Sequence, residues 1–181
     1  FPEFVYLERM EKFLYLLKEK ILIQSPEIIF SILLVDVKDN HEYFSHKYKV
    51  SNKLKKDLIF MAENYRKYKN EKNYIKKDLN KNIYKFGKAN MKKILSFIYC
   101  SEKNFSNRLL IKTIKEINKL KIPSFPFNGQ YLINKGLVDG KKIGFALKEL
   151  EEEWVQKNFS LNSAEVIAII DKVKRLNILN I

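Results

Sequence analysis

Phe125 to Gly144 reads FPFNGQYLINKGLVDGKKIG, and it decides how the rest of the chain is read. The spacing predicts a short helix from Gln130 to Lys135, a tight connection from Gly136 to Gly140, and a long helix after it. Asp139 is placed to cap that second helix. Ile143, Leu147, Leu150 and Trp154 then follow at three- and four-residue intervals, which puts them on one helical face. Gly136 and Gly140 permit positive φ or a close backbone approach, so if the hairpin is only structural a valine at Gly140 should unfold the tail with no selective binding defect. Gly144 would let another backbone pack closely.

The connection has a chemical reading as well. The first N–H groups of a helix have no partner within it, and with the helix dipole they favour an anion such as a phosphate. Lys135, Lys141 and Lys142 add positive charge near that point. Helical hairpins hold nucleic-acid backbones by this logic without reading sequence. The same residues also describe a plain hairpin in which the glycines serve only the turn and Asp139 occupies the helix end.

Working outward, helix signals dominate. Asn162 with Glu165 three residues on is a capping box for a last helix ending near Leu176. Upstream, Ser106 caps a helix carrying Leu109, Leu110, Ile114, Ile117 and Leu120. Asn90 to Cys100 forms another, and a further one from Ile75 through Phe86 stops at Gly87. Ser51 opens a helix with Leu54, Leu58 and Met61 inward, and Asn70 to Asn73 form a turn after it. Ser25-Pro26-Glu27 starts a helix that runs to Leu33 or Leu34. Asp36 to Tyr48 is ambiguous. Phe4, Leu7, Met10, Phe13, Leu14 and Leu17 make a first helical stripe, with Pro2 in its first turn. The fold class is therefore all-α: a multi-helix body over residues 1–121 and a smaller helical tail over 122–181, divided near Pro123.

The 181 residues are 46% hydrophobic, enough to bury a sizeable core. No run of about 18 apolar residues exists, so no membrane-spanning helix is expected. The chain opens at Phe1 rather than Met, which reads as a chain trimmed or cut from something longer. The single cysteine, Cys100, lies among Phe97, Ile98 and Tyr99 and reads as a packing residue in a reducing compartment. His41 and His46 lack metal-ligand spacing, so no metal is expected.

Net charge is +14. That balance implies a polyanionic partner, although 31 lysines against four arginines also fit the codons of an AT-rich genome. The distribution says more. Lys47 to Lys93 holds sixteen basic and four acidic residues, a net of +12, while the remainder is nearly balanced. Tyr65, Tyr68, Tyr74 and Tyr84 are interleaved there. They either stack on exposed bases or pack between helices.

The Phe125–Gly144 stretch, continued through Leu147, Leu150, Glu151 and Trp154, resembles a C-terminal pattern of the bacterial tRNA nucleotidyltransferases and related poly(A) polymerases. Tyr48-Lys49-Val50-Ser51-Asn52 looks like the segment that opens a body helix in those enzymes. Ile28 to Leu34 looks like another of their helices. The sequence departs at Tyr48 and Lys49, where the family has basic and apolar residues. The resemblance covers about Glu3 to Leu176 and is specific in the tail.

It implies that the chain is the tRNA-binding body and tail of an enzyme adding nucleotides to RNA 3′ ends. Its partners would be tRNA or another RNA and the N-terminal catalytic head of the same protein, with no membrane, in the cytoplasm. The glycine-rich segment and paired aspartates of that head are missing here. Asp36 and Asp39 are the nearest acidic pair. No catalytic residue and no cofactor is expected in this chain, whereas Mg²⁺ with CTP or ATP belongs to the head. The candidate RNA-binding residues are Lys53 and Arg66 in the basic segment and Lys135, Gly136, Gly140, Lys141 and Lys142 in the hairpin. Two rivals stand beside this reading: a helical protein-interaction module with no RNA role, and a peripheral membrane-surface domain. The second is disfavoured because the basic segment shows no strongly amphipathic helix.

Overall fold

The computed structural model describes residues 1–21 and 25–176. Among the described residues the chain is all-α, with ten helices and no strand. It divides into two compact units, Phe1–Leu120 and Lys121–Ile181.

The first unit contains α1 (Arg9–Lys18), α2 (Pro26–Leu34), α3 (Asn40–Lys47), α4 (Asn52–Asn70), α5 (Tyr74–Lys77), α6 (Leu79–Ser101) and α7 (Asn107–Lys119). α6 is the central element and packs on α1, α2, α4 and α7. Its second half explains why: Met91 and every residue from Ile94 to Cys100 are buried. A helix apolar nearly all round must be covered on all sides. Each such Leu, Ile or Phe contributes about 1.5–3 kcal/mol by leaving water. Gly87 sits at φ 79° and ψ 156°. That backbone is not helical, so the stop expected there is present, and the two helical halves of α6 meet at a kink.

Local signals hold where side chains cap the backbone. The Ser51 and Ser106 hydroxyls accept from the Leu54 and Leu109 N–H groups, each at 3.2 Å. Pro26 occupies the first turn of α2. The ambiguous Asp36–Tyr48 segment contains α3.

The first stripe needs correction. α1 begins only at Arg9, and Leu7 and Leu14 face solvent. The buried residues of α1 are Arg9, Phe13 and Leu16. The reason is tertiary. Arg9 reaches the end of α2, donating from Nη1 to the Val35 carbonyl at 2.7 Å and to that of Ile32 at 3.2 Å. A cation there satisfies unpaired carbonyls and complements the helix dipole. It turns Phe13 and Leu16 inward instead of Leu14. Phe1 and Phe4 lie outside the helix and form ring contacts with Phe44.

The second unit contains α8 (Gly129–Asn134), α9 (Gly140–Gln156) and α10 (Ser163–Arg175). Leu132, Leu137, Ala146, Leu150, Val166, Ile170 and Val173 form its core. Trp154 is buried on the α9 face predicted for it. The Asn162–Glu165 capping box is formed in both directions, each bond at 2.9 Å. Gly144 does not have the role expected of it, since a Cβ there would meet nothing within 4 Å.

Candidate nucleic-acid interface

The hairpin is built from two interlocked helix ends. α8 finishes in a Schellman motif: the Leu137 N–H donates to the Leu132 carbonyl at 3.0 Å and the Gly136 N–H to that of Ile133 at 2.9 Å. Gly136 takes the left-handed position, φ +85°. Leu132 and Leu137, both buried, supply the apolar contact that accompanies such an end. Asp139 then caps α9, its Oδ1 accepting from the Lys142 N–H at 3.0 Å. Gly140 is the first residue of α9, has no positive φ, and has open space where a Cβ would go. The special backbone conformation expected at Gly140 is absent; only Gly136 has one.

The lysines of the hairpin differ in availability. Lys135 and Lys141 are exposed and make no ion pair among the described residues. The Lys135 ammonium lies 5.8 Å from the centre of the Tyr131 ring. Lys142 is occupied within the unit, its Nζ donating to the Lys174 carbonyl at 2.9 Å. That bond brings the end of α10 to the turn. The position of a Cβ on Gly136 would lie 3.7 Å from Lys174 Nζ. Lys174 is a neighbour of the turn that sequence spacing could not supply.

In the first unit, Lys53 is exposed in the opening turn of α4 without an ion pair. Lys56 and Lys67 follow on about the same side at helical spacing. Arg66 is half-exposed and committed. Its Nη2 meets Asp39 Oδ1 at 2.7 Å.

The net +12 of Lys47–Lys93 is lower in space than in sequence. Four acids from outside the segment fold against it: Glu3 on Lys47, Glu27 on Lys93, Asp39 on Arg66, and Glu102 on both Lys69 and Lys72. Burial acts to raise the Glu102 pKa, but hydrogen bonds from Lys72, Lys69 and Tyr65 hold it below the usual carboxylate value. Such partly exposed pairs are weak, so these cations remain free to exchange partners. Lys49, Lys53, Lys55, Lys56, Lys67 and Lys76 carry no ion pair among the described residues.

Two of the tyrosines are packing residues. Tyr65 is buried edge-on against Phe97, 5.2 Å between ring centres, and donates to Glu102 Oε1 at 2.9 Å. Tyr74 donates to Asn64 Oδ1 at 2.7 Å and is half-buried. Tyr65, 5% exposed, has no ring face open to a base.

The paired-metal chemistry of a nucleotidyltransferase head does not fit the residues present. Asp36 accepts from the Tyr6 hydroxyl and the Lys38 N–H, while Asp39 faces Arg66. The two carboxylates are each used singly and do not converge. Cys100 is buried, its thiol pushed up to about 12 by desolvation, which leaves no thiolate for nucleophilic work. What the surface offers is charge and hydrogen-bond donors, suited to binding.

Comparison with known proteins supports the family resemblance. The family model for tRNA nucleotidyltransferase domain 2 matches residues 23–170. The CCA tRNA nucleotidyltransferase 1, mitochondrial, of Homo sapiens is 32% identical over 59 residues, 33% of this chain. The Mus musculus protein of the same name is 30% identical over 59 residues. The chain spans 14% of the length of these curated relatives. No solved structure matches. A match over residues 23–170 of an all-α chain means that this chain belongs to the tRNA nucleotidyltransferase domain 2 family.

Proposed function

We propose that this chain holds tRNA, or a closely similar RNA, for an enzyme that adds nucleotides to RNA 3′ ends. Catalysis is assigned to an N-terminal head of the same protein, using Mg²⁺ with CTP or ATP. The product would be a CCA end or a poly(A) tail, and the compartment the cytoplasm. Lysines of α4 and α5, Lys53 among them, supply long-range attraction. Lys135 and Lys141 grip phosphates beside the Gly136 turn, with the Gly140 and Lys141 N–H groups at the start of α9. Arg66 joins when phosphate displaces Asp39. Lys142 has a lesser part because the Lys174 carbonyl already holds it.

The observation that carries this reading is the regional basic charge on a chain of the tRNA nucleotidyltransferase domain 2 family. The test is a titration of the chain with tRNA between 50 and 200 mM salt. Counterion release predicts a log–log slope of about −0.7 to −0.9 per neutralised phosphate. A slope near zero would return the chain to the class of helical protein-interaction modules.

A further inference from the structure

Tyr68 behaves differently from its neighbours. The residue is 7% exposed, its hydroxyl reaches solvent and makes no hydrogen bond among the described residues, and it lines a cavity of about 260 Å³ in the first unit. Ile75, Leu95 and Thr113 form the apolar floor, and Phe105 and Leu109 complete the walls. Thr113 spends its hydroxyl hydrogen on the Leu109 carbonyl at 2.9 Å, so the floor presents no free donor there. The mouth is polar: Lys72, Asn73 and Lys76, all exposed.

Three properties define what fits. Size is the first. A cavity of about 150 Å³ takes one benzene ring, whereas drug-sized ligands occupy about 300–1,000 Å³. This one suits a flat group of one or two fused rings. The second is the wall, lined by two aromatic side chains: the partly exposed Phe105, on which a ring can lie, and the nearly buried Tyr68. The third is the rim. Asn73 is the N-terminal cap residue of α5 but makes no side-chain capping bond, so its amide can both donate and accept. Lys76 has no ion pair among the described residues. Lys72 sits 4.5 Å from the centre of the Tyr68 ring and pairs with Glu102, a surface pair that phosphate can replace.

An apolar slot for a flat ring, an amide at its edge and two cations outside describe a nucleotide with its base inside and its phosphates at the mouth. We infer that the cavity between Tyr68 and Phe105 captures one unpaired RNA base, with Asn73 at the base edge and Lys72 and Lys76 on the flanking phosphates. This rests on the RNA-binding reading above and adds to it a preference for single-stranded over paired RNA at this point. A duplex cannot reach the slot, since its bases are stacked and only its backbone is presented.

The test compares three probes on the whole chain: a single-stranded 12-nucleotide RNA, the same strand with abasic sugars, and a 12-base-pair duplex. Leu109→Trp fills the slot without changing charge. Wild type should prefer the base-bearing strand over the abasic one by about tenfold, the scale of one base stacked on an aromatic ring. Leu109→Trp should abolish that preference and leave duplex binding and its salt dependence unchanged. As a check independent of folding of the variant, a strand carrying 5-iodouridine should photocross-link in wild type to Tyr68 or Phe105. Equal wild-type affinity for base-bearing and abasic strands, or cross-links only elsewhere, overturns the cavity assignment while RNA binding stands. No salt-dependent binding of any probe overturns the RNA reading itself.

Discussion

Lys142 Nζ donates to the Lys174 carbonyl at 2.9 Å, across 32 residues of sequence. This bond sorts the three hairpin lysines. Lys135→Ala and Lys141→Ala should each weaken all tRNAs alike and flatten the salt slope by about one contact, with unchanged thermal stability. Lys142→Ala should do the reverse. It removes a donor from the end of α10, so it should lower the melting temperature of the tail and barely move RNA affinity. Titrations at two salt concentrations, beside thermal melts, check all three. If Lys135→Ala and Lys141→Ala match wild type at both salts, the hairpin is not a binding element and the basic segment of the first unit stands alone.

Trp154 anchors the end of α9. The Phe159 N–H donates to its carbonyl at 2.7 Å, and the Phe159 ring lies edge-on to the indole, 4.9 Å between centres. Phe125 contacts the indole at 5.5 Å. Phe159 adopts φ 66° and Asn158 φ 56°, a costly conformation for a bulky side chain that the ring contact helps to offset. Trp154→Ala should destabilise the second unit by about 3–5 kcal/mol, and Trp154→Phe by clearly less. Urea unfolding followed by circular dichroism gives the comparison. A Trp154→Ala midpoint equal to wild type would mean that the aromatic cluster contributes little.

What the sequence made legible is what local chemistry decides. Ser51, Ser106, Asp139 and Asn162 cap helices because each oxygen reaches an N–H three residues away, a relation visible in any short window. Pro26 and Gly136 act through their own φ. What stayed hidden depends on residues far along the chain. Leu14 fits a helical stripe as well as Leu16 does, and only the hold of Arg9 on the α2 carbonyls decides between them. Summed charge showed a basic segment but not that Glu3, Glu27, Asp39 and Glu102 fold onto it. The four tyrosines looked alike in sequence. Tyr65 and Tyr74 proved to be hydrogen-bonded packing residues, while Tyr68 faces a cavity assembled from α4, α5, α6 and α7.

His41 gives the first unit a pH dependence. It is 1% exposed, and neither ring nitrogen has a hydrogen-bond partner among the described residues. Desolvation lowers its pKa below the ordinary value of about 6.5, with Arg66 acting the same way and Glu42, Asp36 and Asp39 opposing. The folded state therefore keeps the ring neutral while the unfolded chain takes up a proton. Stability is full above about pH 6.5 and falls as the pH drops from there towards the lowered folded value, by at most about 1.4 kcal/mol per pH unit for one proton. The lowered carboxylates Glu3, Glu27 and Glu102 lose their contributions in the same direction, but only as the pH falls through the range below about 4.5. Urea midpoints at pH 7.5 and 5.2 should differ for wild type and converge for His41→Leu. An unchanged difference in His41→Leu would assign the effect to other groups.

Gly136 and Gly140 flank the same turn, yet they should respond oppositely to alanine. Gly136 holds φ +85° at the Schellman position of α8, where any Cβ is strained whatever space surrounds it. The left-handed conformation costs an L residue about 1–2 kcal/mol, so Gly136→Ala should destabilise the second unit by about that much. Gly140 begins α9 with no positive φ and no atom within 4 Å of its would-be Cβ. Removing a glycine from a helix typically gains about 0.5–1 kcal/mol, with less expected at a first turn. Gly140→Ala should therefore be neutral to slightly stabilising, and Gly140→Val should still fold. Neither change replaces a lysine. If the hairpin binds phosphate through the first N–H groups of α9, Gly136→Ala should weaken RNA only as far as the turn is unfolded, whereas Gly140→Ala should keep full affinity. Melts and tRNA titrations on both variants read the two effects separately. A Gly140→Ala chain that folds as wild type but loses RNA affinity would show that the backbone at Gly140 must come closer to the RNA than a methyl group allows.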